Sequence, residues 1–238
     1  GLSVTEAGKL GFEITRNAKL LGVLGGNAEE VKNFTIAIAK EFGNVGSITN
    51  EVNKQFIALS ATTGITGEEA AKLASQIQSI QGGTLESSLN TLEIFKNLAD
   101  AEGVSSRLVI EGLAADAEVF AKFAGEGGTN LALAEIQARK LGLNLSQTAK
   151  IADSLLDFES SIEKEMEASM MIGKQLNFNR ARELALSGDI AGATTDIVKQ
   201  LGGASEIQKM NVLQRRALAD SIGVSVDELN RLATGKVE

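Results

Sequence analysis

Apolar residues recur at steps of three and four along nearly the whole chain. Val31, Phe34, Ile38 and Phe42 fall on one face of a helical wheel, and Ile48, Val52, Phe56 and Leu59 do the same in the next segment. The pattern continues through Leu73, Ile77 and Ile80, and through Leu85, Leu89, Leu92 and Phe95. It is longest at Ile151, Leu155, Phe158, Ile162 and Met166. No segment alternates apolar and polar residues with the period of two that a half-buried strand needs. The pattern predicts an all-α chain with no sheet. One long helix is expected at roughly Ser146 to Ile172, followed by shorter ones around Asn179 to Leu186, Ile190 to Leu201 and Asn211 to Ile222.

Helix ends are marked as clearly as helix faces. Ser225 followed by Glu228 forms a capping-box pattern, in which each side chain satisfies an amide that the first helical turn leaves unpaired, with Val224 and Leu229 as an apolar staple. Thr66 with Glu69, and Asn27 with Glu30, repeat the pattern, each just after a glycine suited to ending the preceding helix. These junctions are periodic. Gly25, Gly64, Gly103 and Gly142 follow one another at 39 residues, and Gly223 comes 81 further on, about two periods. Nine residues after the glycine stands Phe34, Leu73, Ile151 or Leu232, and the Gly103 copy slips by one to Leu113. Turns at Gly43 and at Gly82 and Gly83 divide the early periods in two. The expected unit is therefore a helical hairpin of about 39 residues, and tandem hairpins pack as a bundle or short array because each must bury its apolar face on a neighbour. Residues 1–144 read as the hairpin-repeat region, and 145–238 as a long helix with a short-helix module.

Composition narrows the chemistry. The 238 residues include 25 glycines but no Pro, Cys, His, Trp or Tyr. Without Cys and His there is no disulfide, thiolate nucleophile, histidine-based triad or ordinary zinc site. Asp, Glu, Lys and Ser remain for catalysis, but no spacing announces a concave carboxylate pair. The chain reads as a non-enzyme without cofactor, metal or catalytic residues. A net charge of −8 with scattered Lys and Arg argues against duplex binding, which needs a clustered basic surface. The longest apolar stretches, Leu20 to Leu24 and Ser169 to Ile172, are far below the ~18 residues of a membrane span. Starting at Gly1 with no signal-peptide pattern, the chain reads as a piece of something longer. The missing prolines leave no turn locked, which suits junction glycines acting as hinges.

Several clusters are candidate sites. Glu159, Glu163 and Glu167 stand four apart, a carboxylate stripe that reads as a solvated helix face rather than a cation site. Met166, Met170 and Met171 read as core or oligomer contact, with an adaptable partner-binding patch as the alternative. The glycine turns at Gly82 and Gly83, and at Gly125, Gly127 and Gly128, lack the Lys and Ser or Thr of a phosphate loop. The basic residues Arg139 and Lys140, Arg180 and Arg182, and Arg215 and Arg216 read as surface ion pairs or contacts to an acidic partner.

The stretches Gln55 to Ala74, Leu155 to Ala193 and Lys209 to Leu232 resemble tail tape measure proteins of tailed bacteriophages. The resemblance includes Gly-apolar-Ser/Thr junctions and the run Asn-Phe-Asn-x-Ala-Arg-Glu-Leu-Ala-Leu-x-Gly-Asp from Asn177 to Asp189. It implies a virion structural protein in the tail lumen or tail tip, which sets tail length and leaves during genome ejection. It also implies self-association and contact with tail tube and baseplate hub proteins, and no specific nucleic acid. The alternative is a non-catalytic α-solenoid or helical-bundle scaffold that binds proteins.

Overall fold

The computed structural model describes residues 28–42 and 48–235. Among these the chain is all-α, with fourteen helices and no strand. The Gly25, Asn27 and Gly43 turn assignments lie outside the described residues, as does the Leu20 to Leu24 stretch.

The chain forms two compact units, divided between Ala117 and Glu118. The sequence places its boundary later, at 144. The structure keeps the helix Thr129–Lys140 with the second unit, because that helix packs against Leu145–Leu156 and Ile190–Leu201.

The first unit holds α1 (Ala28–Phe42), α2 (Asn50–Thr63), α3 (Gly67–Gln81), α4 (Leu85–Ala101) and α5 (Ser106–Ala115). Helices α3 and α4 form the expected hairpin, turned by Gly82 and Gly83 at φ of 69° and 91°, in the left-handed region where a side chain is strained. Thr66 caps α3 and Thr84 caps α4, both with complete capping boxes. Helix α1 lies across α3, and α2 packs on α4. Phe34 and Phe56 stack in this core with centroids 4.0 Å apart and ring planes 2° from parallel. The predicted faces are buried at Phe34, Ile38, Ile48, Val52, Phe56, Leu59, Leu73, Ile77, Leu85, Leu89, Leu92 and Phe95, whereas Ile80 is exposed.

The second unit holds α6 (Ala117–Phe123), a short 3₁₀ turn at Glu126–Gly128, α7 (Thr129–Lys140), α8 (Leu145–Leu156), α9 (Phe158–Ile172), α10 (Asn179–Leu186) and α11 (Ile190–Leu201). It ends with α12 (Ala204–Lys209), α13 (Val212–Ser221) and α14 (Val226–Thr234). Helix α9 lies beside α13, α10 packs on α8 and α11, and α14 packs on α12 and α13. The period between Gly103 and Gly142 is not a two-helix hairpin. Asp116, at φ −118° and ψ 79°, separates α5 from α6, and the Gly125–Gly128 turn separates α6 from α7.

The junction glycines Gly64, Gly103, Gly142 and Gly223 all sit at φ between 69° and 73°. Phe34, Leu73, Leu113, Ile151 and Leu232, the residues that the period places after each junction, are all fully buried. Two junctions are also tied together. Asn144 with Gln147 caps α8 and Ser225 with Glu228 caps α14, and Gln147 Nε2 donates to Glu228 Oε1 at 2.7 Å. Burial works to raise the Glu228 carboxyl, but hydrogen bonds from the Ser225 amide, the Gln147 amide and the Ser225 hydroxyl outweigh it and hold the group below its ordinary value.

Candidate functional site

The single long helix expected from Ser146 to Ile172 is two helices. Asp157, at ψ 77°, is not helical, and α9 begins after it. This break turns the longest apolar stripe in the chain inside out. Ile151 and Leu155, before Asp157, are buried; Phe158, Ile162 and Met166, after it, are exposed. The methionines expected as core or oligomer contact lie on this outer face, with Met166 60 % and Met170 75 % exposed. Burying an apolar side chain stabilises by roughly 25 cal/mol per Å², so a helix that turns its largest apolar residues to solvent is unusual. The reason lies on the inner side of α9, where Ser161 and Ala168 are buried around a polar group.

That group is the Arg182 guanidinium on α10, which is 3 % exposed. Its Nε donates to Ser161 Oγ at 3.0 Å, Nη1 to Asn179 Oδ1 at 3.0 Å and Nη2 to Glu165 Oε2 at 2.5 Å. Arg182 is thus a buried anchor between α9 and α10 and not the surface group that its sequence suggests. A guanidinium taken out of water needs its donors matched, and the inner face of α9 supplies small and polar partners to do this.

The rest of the Asn177 to Asp189 run is equally committed to structure. The Asn177 amide donates to Gln200 Oε1 at 2.9 Å, and its carbonyl accepts from Gln200 Nε2 at 2.6 Å, fastening the start of α10 to α11. Phe178, Ala181 and Ala185 are buried. Gly188 turns at φ 82°, and Asp189 caps α11 by accepting from the Gly192 amide at 2.7 Å. Asn130 Nδ2 donates to the Gly188 carbonyl at 3.0 Å and to the Phe123 carbonyl at 2.7 Å, so the same corner holds the end of α6.

The remaining sequence candidates are spread apart. Glu159, Glu163 and Glu167 are exposed beside the apolar stripe of α9, and among the described residues no group of three or more Asp or Glu is placed to hold a metal ion. Arg180 is exposed, 3.9 Å from Asp196, and Arg216 is exposed, 3.7 Å from Asp220; Arg215 is half-buried, with its Nε unpartnered. No described helix is long and apolar enough to cross a membrane. A shallow groove of about 410 Å³ runs between α1 and the start of α3, past Asn33, Lys40, Thr66 and Glu68.

Arg139 leads to a residue that the sequence pattern does not single out. Its Nε donates to Glu135 Oε1 at 2.6 Å; Glu135 is fully buried in α7 and its second oxygen has no partner. Burial pushes the Glu135 carboxyl from an ordinary 4.5 up to about 6, against the pull of the Arg139 charge. The folded chain therefore holds this proton more tightly than the unfolded chain. Its contribution to stability is present below pH 4.5 and is lost as pH rises through 6, a change of about 2 kcal/mol. Urea midpoints measured from pH 4 to 7 should carry this downward component, and Glu135→Gln should remove it. An identical slope in the variant would mean that the carboxyl titrates normally.

No protein-family model, curated protein or solved structure matches this chain. The site rests on its own geometry: an outward apolar and acidic face on α9, held in that orientation by a buried arginine.

Proposed function

We propose that the chain is a helical segment of a tail tape measure protein of a tailed bacteriophage, a virion structural protein that occupies the tail tube, sets tail length and is released during genome ejection. The observation that carries this reading is the corner from Asn177 to Asp189. The run that resembles tape measure proteins is one in which the asparagines, Phe178, Arg182, Gly188 and Asp189 each have a bonding, packing or turn role. That kind of correspondence is expected where shape, and not reactivity, is what the sequence encodes. The net charge of −8 also favours it, because an acidic occupant of the tube repels DNA that advances behind it.

The test is to label purified phage particles with an antibody raised against this chain. Gold on tails or tail tips, or on material released at ejection, is the expected result. Particles without label, opened or intact, would overturn the reading. The outward face of α9 favours a second reading, a protein-binding helical scaffold outside virions, which the same experiment separates from the first.

A further inference from the structure

Of the thirteen exposed large apolar residues among those described, seven lie on only two helices of the second unit. Helix α9 contributes Phe158, Ile162, Met166 and Met170, with Met171 at its end, and α13 contributes Val212 and Leu213. The two helices run antiparallel. At one end Gln214 Nε2, in the first turn of α13, donates to the Met171 carbonyl at 2.9 Å. At the other, Gly223, just past α13, sits so close to Ser154 that a Cβ there would lie 2.5 Å from the Ser154 Cβ, three residues before the Asp157 break.

The face of α9 is acidic, whereas that of α13 carries both signs, Asp220 among them, with the basic residues in excess. The apolar stripe of α9 is edged by Glu159, Glu163 and Glu167, all exposed, whereas that of α13 is edged by Arg216, with half-buried Arg215 beside it and Lys209 shortly before the helix start. Arg216 is held within its own copy only by a 3.7 Å exposed pair with Asp220, and Arg215 Nε has no partner. An apolar helix face edged with carboxylates calls for an occupant that is apolar and edged with arginine, and α13 has that composition.

We infer that the occupant is a second copy of this chain, paired through α9 and α13 about a twofold axis that runs along the two helices. An isologous interface brings the same patch of each copy together. With the axis along the helices, α9 of each copy lies on α13 of the other, Met170 meets Val212 and Leu213, and Glu167 faces Arg216. With the axis across the helices, glutamates would meet glutamates, and like charges set against each other disfavour that arrangement. The pairing rests on this surface alone. A chain absent from phage tails leaves it standing, and a monomeric chain leaves the tail reading standing.

Sedimentation equilibrium on the full chain at low salt tests it. The wild type should be dimeric at about 100 μM, with an affinity that falls as salt is added. Arg216→Glu should weaken the dimer roughly tenfold or more, as should Glu167→Arg, because each change breaks both symmetry-related contacts. Combining the two substitutions should restore pairing. Every altered residue is exposed, and unchanged circular dichroism verifies folding. A monomeric wild type, a dimer indifferent to either reversal, or a combined variant that stays dissociated would each overturn the proposal.

Discussion

Replacing Arg182 by Ala is expected to destabilise the second unit by about 3 to 5 kcal/mol, the range for a buried ion pair that loses one partner. The guanidinium occupies three acceptors from two helices, and its removal leaves the half-buried Glu165 carboxylate, the Ser161 hydroxyl and a void between α9 and α10. Arg182→Lys should recover only part of the loss, because an ammonium cannot reach Ser161, Asn179 and Glu165 with the fixed fork that a guanidinium provides. Arg182→Met combined with Glu165→Leu should be much closer to wild type, since a well-packed apolar pair avoids the desolvation of both charges. Urea unfolding followed by circular dichroism checks the series. If Arg182→Ala and the double variant were equally unstable, neither lost volume nor a stranded carboxylate would explain the loss, and it would come from the guanidinium's own hydrogen bonds to Ser161, Asn179 and Glu165.

The same anchor accounts for what the sequence does and does not reveal about α9. Periodicity correctly indicates the helical state of most of residues 151 to 172, and it correctly marks Phe158, Ile162 and Met166 as one face. It cannot say which way that face points. The inward assignment assumes an unbroken helix from Leu155 onward, and Asp157 breaks it through backbone torsion without Gly or Pro. Asp followed by a first-turn Glu is a helix-start pattern, and Asp157 with Glu159 carries that signal. The junction glycines are legible because left-handed φ narrows the choice of residue so strongly, and the capping boxes at Thr66 and Ser225 because their spacing is fixed by hydrogen-bond reach. Helix α12 leaves no clear signal because six residues are too few to establish a period. Arg182 looks like a surface group in the sequence, since burial of a charge depends on partners 17 to 21 residues away, Glu165 and Ser161, which no local pattern connects to it.

Gly67→Ala is expected to destabilise the first unit by about 2 to 3 kcal/mol, opposite in sign to the usual effect of that substitution in a helix. Gly67 is the first residue of α3, just after the Thr66 cap, a place where alanine ordinarily stabilises by restricting the unfolded chain. Here α1 crosses at very close range. A Cβ on Gly67 would lie 2.5 Å from the Phe34 amide nitrogen, 2.6 Å from its Cα and 2.8 Å from its Cβ. Two of these atoms are backbone and the third is fixed to it, so no rotamer change relieves the overlap, and α1 must move as a body. Phe34 is also the residue whose ring stacks on Phe56 at 4.0 Å, so displacing α1 disturbs the aromatic pair as well as the crossing. Gly203→Ala provides the contrast: Gly203 has an ordinary φ of −77° and nothing within 4 Å of the added Cβ, and its effect should stay within about 0.5 kcal/mol. Thermal melts of the two variants read the difference directly, with roughly 4 °C or more lost per kcal/mol for a unit near 100 residues. A Gly67→Ala chain that melts with the wild type would mean that α1 does not cross α3 at this residue, whereas a large loss there and none at Gly203 would make contact distance, and not glycine itself, the cause.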